Sequence, residues 1–143
     1  MDTTRIEKRI GVHAPSDRIW EILSDLENWH VGNPYETGLT GALAFGAGIS
    51  LTEALPGMAE RQVQARLGDW QPYSQLVWVE KRGFMFNAIR YYEIEELDRG
   101  ACIVANGVIF SGLRGELFHD KHRKTIRSAY DDIAEALKRA AES

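Results

Sequence analysis

His119 and His122 stand three residues apart, a spacing that brings two imidazoles toward one face of a helix. Such rings can donate to or accept from a polar ligand group, and they equally suit a solvated surface. A catalytic zinc needs at least three protein ligands, and no carboxylate or thiolate nearby completes the pair in a recognisable motif, so no metal is expected. Other reactive patterns are missing: Phe110-Ser111-Gly112 is no nucleophile elbow, Gly46-Ala47-Gly48 lacks the third glycine and the helix of a dinucleotide loop, and Cys102 has no histidine beside it in sequence. No cofactor is implied, and no residue is marked as catalytic.

The segment that must carry the two rings reads as one long helix, Leu113 to Ala141. Gly115, Phe118, Ile126, Ala129, Ile133, Ala136, Leu137 and Ala140 recur at spacings of three, four and their multiples, which keeps them on one side at 3.6 residues per turn. The C-terminal half carries a core stripe. In the N-terminal half, Gly115, His119 and His122 occupy the face where packing would want leucine, and such a face suits a cavity. Lys121, Arg123, Lys124 and Arg127 read as the solvated side of the same helix.

Ahead of it the chain alternates. Arg5 to Val12 sets Ile6, Ile10 and Val12 against Arg5, Glu7 and Arg9, the period of a half-buried strand. Ala14-Pro15-Ser16-Asp17 opens a helix with Ile19, Trp20, Leu23 and Leu26 inward, and Trp29 to Pro34 reads as a second short helical turn ending in a loop, since Pro34 stops a helix before Asn33. Strands follow at Tyr35 to Thr40, Ile49 to Leu55, Arg61 to Trp70, Leu76 to Lys81, Asn87 to Leu97 and Ala101 to Phe110. Strand, two short helices, six strands and a long helix make an α+β layout in which an antiparallel sheet packs one face on a helix.

The 143 residues suit one domain, 1-143, and 44% apolar with 27% charged residues is the make-up of a globular chain. A net charge of -4 argues against a nucleic-acid surface. The polar Met1-Asp2-Thr3-Thr4 start lacks a signal peptide's apolar core, and no apolar run approaches the roughly 18 residues of a membrane span, so a cytoplasmic protein without stable membrane insertion is expected. Cys102 alone makes no internal disulfide and reads as a small buried residue.

In its ordered pieces the sequence resembles the START-related (SRPBCC) superfamily, in particular the polyketide cyclase/dehydrase and lipid-transport branch. The pieces are Ala14-Pro15 with Ile19-Trp20 and Leu23, Trp29 and Asn33-Pro34, Leu76-Val77-Trp78, Tyr92-Glu93-Ile94 before Gly100, Phe110-Ser111-Gly112-Leu113, and Ala136-Leu137-Lys138. The resemblance implies a helix-grip fold: a curved seven-stranded antiparallel sheet around the C-terminal helix, with two short helices between the first two strands and a hydrophobic cavity inside. Its register implies that Arg90, Tyr92 and Ile94 face inward beside Cys102, Val104, Asn106, Val108 and Phe110; by pattern alone Arg90 fits either face.

These readings converge on a ligand-binding set of Trp78, Arg90, Tyr92, Asn106, Val108, Gly115, His119 and His122. The expected partner is a hydrophobic or aromatic small molecule, lipid- or polyketide-like. A cyclase/dehydrase-type enzyme in which Arg90, Tyr92, Asn106 or His122 polarises a carbonyl or moves a proton is the alternative, and a chaperone-activator-like interaction domain is a third. Ile103 and Ile109, on the outer side of a strand apolar on both faces, allow a homodimer.

Overall fold

The computed structural model describes residues 4–143; the Met1-Asp2-Thr3 start, on which the reading of the N-terminus rests, lies outside them. Strand β1 (Arg5–Val12) leads through helix α1 (Ser16–Ser24) and a 3-10 turn over Leu26–Val31 into β2 (Glu36–Thr40). Then come β3 (Gly48–Glu53), β4 (Arg61–Gln71), β5 (Gln75–Gly83), β6 (Phe86–Asp98), β7 (Ala101–Ser111) and helix α2 (Leu113–Glu142). The fold is the expected α+β helix-grip. Seven antiparallel strands run in the order β1-β7-β6-β5-β4-β3-β2, so the first strand lies beside the last while β2 to β7 form a meander.

Irregular pairing in four places bends this sheet: Thr37/Thr40, Leu67/Trp70, Lys81/Gly83 and Glu96/Asp98. An extra residue on one strand sharpens the local twist, which is how a flat ladder becomes a grip. Alternation holds where it was clearest. Val63, Ala65 and Leu67 are buried while Gln62, Gln64 and Arg66 face water.

The stripe of α2 is rotated from the expected one. Gly115, His119, Ile126, Ala129, Tyr130, Ile133, Ala134, Leu137 and Ala141 are buried, whereas Phe118, Ala136 and Ala140 are only partly covered. Ile133 and Leu137, wholly out of water, each contribute about 1.5–3 kcal/mol. The helix begins on the β5–β6 turn, where the Met85 carbonyl accepts the Arg114 and Gly115 amides at 3.0 and 3.4 Å. Gly112 has φ +83, and a Cβ there would strike that same carbonyl, so only glycine fits.

The boundary between the two short helical segments differs from the sequence reading. The second helical segment covers Leu26–Val31, so it starts three residues ahead of Trp29 and takes Leu26 from α1, because Asp25 leaves helical geometry at φ -88, ψ 81 and ends α1. Asn33 then makes a turn of its own, its Oδ1 accepting the Tyr35 and Glu36 amides, both at 2.9 Å. On the outer face of β7, Ile103 and Ile109 are partly covered. Gly107 between them is buried because the Tyr91 ring lies across it and gives its hydroxyl to Glu7 at 2.6 Å.

Candidate functional site

Strand parity places an unusual set of side chains on the concave face. Counting by two from Leu76 and Trp78 reaches Glu80 and Arg82; from Val63 backward it reaches Arg61; from Ile49 and Leu51 it reaches Glu53. With Glu36, Ala88, Arg90, Val108 and Phe110 from the sheet and Phe118, Ile126 and Tyr130 from α2, they line one cleft. It encloses about 470 Å³ with its mouth, of which about 30 Å³ is open to the centre of a water molecule. That is room for a water or two, so a larger occupant must displace side chains at the mouth. Glu53, Met58, Arg61, Arg82 and Phe118 are partly exposed and form that mouth; Glu36, Trp78, Arg90, Val108 and Tyr130 are buried at its floor.

The floor is a closed polar network. Arg90 Nε donates to Glu36 Oε2 at 3.0 Å, Nη2 donates to Glu36 Oε1 at 3.4 Å and to the Tyr92 hydroxyl at 3.1 Å, and Nη1 donates to the Tyr91 and Gly107 carbonyls at 3.2 and 3.1 Å. All five N–H donors of the guanidinium are thereby used. Trp29 Nε1 and Asn33 Nδ2 add bonds to Glu36 Oε1 at 3.2 and 2.6 Å. Burial pulls the Arg90 pKa down, but Glu36 beside it more than offsets this and holds the group well above its usual value. Burial likewise pushes the Tyr92 phenol up to about 12, so it stays neutral.

Nearer the mouth, Arg61 bridges two carboxylates. It forms a fork on Glu80, with both N···O distances 2.7 Å, and reaches Glu53 Oε1 at 3.0 Å. Burial would lower the Arg61 pKa, and the bonds to Glu80 and the charge of Glu53 raise it instead. Glu53 itself is pushed up, first by burial, against the pull of Arg61. Three side chains along the cleft keep polar groups without a hydrogen-bond partner among the described residues: the Arg82 guanidinium, the Trp78 indole N–H and the Tyr130 hydroxyl.

Of the residues singled out in the sequence, Trp78, Arg90 and Val108 border the cleft, and pairing sets them in one row across β5, β6 and β7. Tyr92 lies behind Arg90. Asn106 is buried, donating Nδ2 to the Tyr130 carbonyl of α2 at 3.2 Å, with its Oδ1 unpartnered. The helix residues fall outside the cleft. Gly115 faces no void, since Phe110 and Phe86 atoms stand 3.5 to 3.6 Å from where its Cβ would be. His119 is buried with its Nδ1 3.1 Å from Asp120 Oδ1. His122 packs against Phe118 with the rings tilted, centroids 4.5 Å apart, beside a shallow surface depression. The cleft therefore opens along Phe118, Ile126 and Tyr130, one helical turn apart or two, rather than along Gly115, His119 and His122. Among the described residues no three His, Cys, Asp or Glu side chains are grouped to hold a metal ion, and no helix is long and apolar enough to cross a membrane.

No protein-family model matches the sequence, and no curated protein does. Solved structures match by fold. The di-domain ARO/CYC BexL from the BE-7585A biosynthetic pathway superposes with a TM-score of 0.76 at 13% identity over 96% of this chain and 46% of its own. This chain thus spans about half of that structure. Norcoclaurine synthase from Thalictrum flavum, solved as a point mutant with a transition-state analogue, gives 0.71 at 12% identity over 96% and 92%. A START superfamily protein from Mycobacterium smegmatis gives 0.64 at 16% identity over 93% and 98%. The chain has the helix-grip fold of the START-related proteins.

Proposed function

We propose that this helix-grip chain takes a hydrophobic or aromatic small molecule into the cleft between its sheet and α2. One observation carries the reading: an apolar wall of Leu51, Val63, Trp78, Phe110, Phe118 and Ile126 meets a few polar groups that have no hydrogen-bond partner among the described residues. Small-molecule sites have this make-up, with apolar surface supplying affinity at about 25 cal/mol per Å² buried and polar groups fixing orientation. The fold is shared with a di-domain ARO/CYC of a biosynthetic pathway and with a norcoclaurine synthase solved with a transition-state analogue, which agrees with a small-molecule ligand. Mass spectrometry of freshly purified protein under native conditions tests it. A small molecule retained on the folded chain supports the reading; a bare mass, together with no binding of any added naphthalene derivative, counts against it.

Glu53 favours a second reading. A carboxyl pushed up by burial and facing the cleft can hand a proton to a carbonyl or alkoxide oxygen and take it back, the acid/base work of a cyclase/dehydrase. Arg61 holds it in place. In this reading Glu53→Gln abolishes turnover of a poly-β-ketone substrate while ligand binding survives, and undiminished turnover would remove Glu53 from the chemistry.

A further inference from the structure

Among the described residues, Arg82 is the one cleft guanidinium without an acceptor. Arg90 spends all five donors within the floor, and Arg61 is forked on Glu80 and tied to Glu53. Arg82 makes neither a hydrogen bond nor an ion pair among the described residues. It lies instead over two adjoining rings, its guanidinium carbon 4.6 Å from the Phe86 centroid and 4.5 Å from that of Phe118, which are themselves 5.1 Å apart. Those cation–π contacts hold the group at the mouth without using its N–H donors.

We propose that Arg82 is the anion-recognising group of the cleft, and that the ligand is a planar aromatic acid whose ring system enters between Trp78, Phe110 and Phe118 while its carboxylate pairs with Arg82. This rests on the reading of the cleft as a binding site. Once side chains at the mouth move aside, the aromatic lining of Trp78, Phe110 and Phe118 favours a flat body that packs on ring faces over a bulky one. A carboxylate supplies the two parallel acceptors that a guanidinium edge matches, at roughly twice the strength of a neutral bond. The nearby acids do not fill this role, because Glu80 and Glu53 are already engaged by Arg61. Arg82 is also held below the usual arginine value, first by burial and then by the positive charge of Arg61, so an arriving anion relieves a poorly solvated cation.

Isothermal titration with 2-naphthoate and with naphthalene-2-carboxamide, matched in shape and differing in charge, tests the assignment. The native protein should prefer naphthoate by about tenfold or more, a difference of about 1.4 kcal/mol or above. Arg82→Met should bring the two probes within about threefold of each other, and Arg82→Lys, which keeps the charge without the fork, should restore part of the preference. Equal affinities in the native protein, or a preference that survives Arg82→Met, would overturn the role of Arg82 while leaving the cleft as a binding site. Failure of both probes to bind the native protein would overturn the binding reading itself, and this inference with it.

Discussion

Arg90 and Glu36 form a buried ion pair, Nε to Oε2 3.0 Å, with 6% and 2% of their side-chain surfaces exposed. It joins the β6 strand to the segment that follows the 3-10 turn, and the Arg90 cation also lies over the rings of Tyr92 and Tyr130 at 4.6 and 4.5 Å. Removing one partner would leave the other charge in a low-dielectric interior. Arg90→Met should therefore destabilise the protein by about 3–5 kcal/mol in denaturant melts, and adding Glu36→Leu to the variant should recover part of that loss. A loss under about 1 kcal/mol from Arg90→Met alone would show that the pair is solvated.

Gly115 bears on how the helix meets the sheet. A Cβ there would touch Phe110 and Phe86 at ordinary contact distance, so Gly115→Ala should fold normally and gain up to about 1 kcal/mol of helix preference. Gly115→Trp should instead wedge α2 from the two phenylalanines and cost about 1–3 kcal/mol, without plugging the cleft. A Gly115→Trp variant as stable as the native protein but unable to bind naphthalene-2-carboxamide would place the site back along the Gly115 face.

Glu53 makes stability depend on pH in a definite direction. Its folded pKa stands above the ordinary 4.5, so between those two values the folded state holds more protons than the unfolded one. Stability contributed by protonated Glu53 is then lost as pH rises through that window. Compared across the same pH range, the stability of native protein relative to Glu53→Gln should fall from pH 4.5 upward and then level off. A difference that is constant with pH, or that rises, contradicts the placement of this carboxyl.

Most of the architecture was legible in the chain because it depends on periodicity. The alternation of Val63, Ala65 and Leu67 and the spacing of Ile126, Ile133 and Leu137 are local signals, and the elements they define sit within a residue or two of where they were read. The site was less legible. Charged residues on a strand are ordinarily assigned to water, so residue type alone does not mark Arg61, Glu80, Arg82 and Glu53, although the count by two that turns Trp78 inward also reaches Glu80 and Arg82. Glu36 gave no such signal. Its inward turn is set by the Asn33 side chain and its burial by Arg90, a residue 54 positions later. A gap in a helix stripe marks a cavity only if nothing from the facing strands fills it, and beside Gly115 it is Phe86 and Phe110 that fill it.

The four indole N–H groups offer the most direct test of the cleft, because they report from separate places. Trp78 lines it, Trp29 packs on Trp78 with centroids 5.5 Å apart, and Trp20 and Trp70 stack on each other at 6.4 Å away from the lining. In nitrogen–proton NMR spectra titrated with naphthalene-2-carboxamide, the Trp78 indole resonance should move progressively to saturation and Trp29 should follow more weakly, while Trp20 and Trp70 stay in place. A stationary Trp78 signal at saturating probe, or movement confined to Trp20 and Trp70, would contradict binding between the sheet and α2.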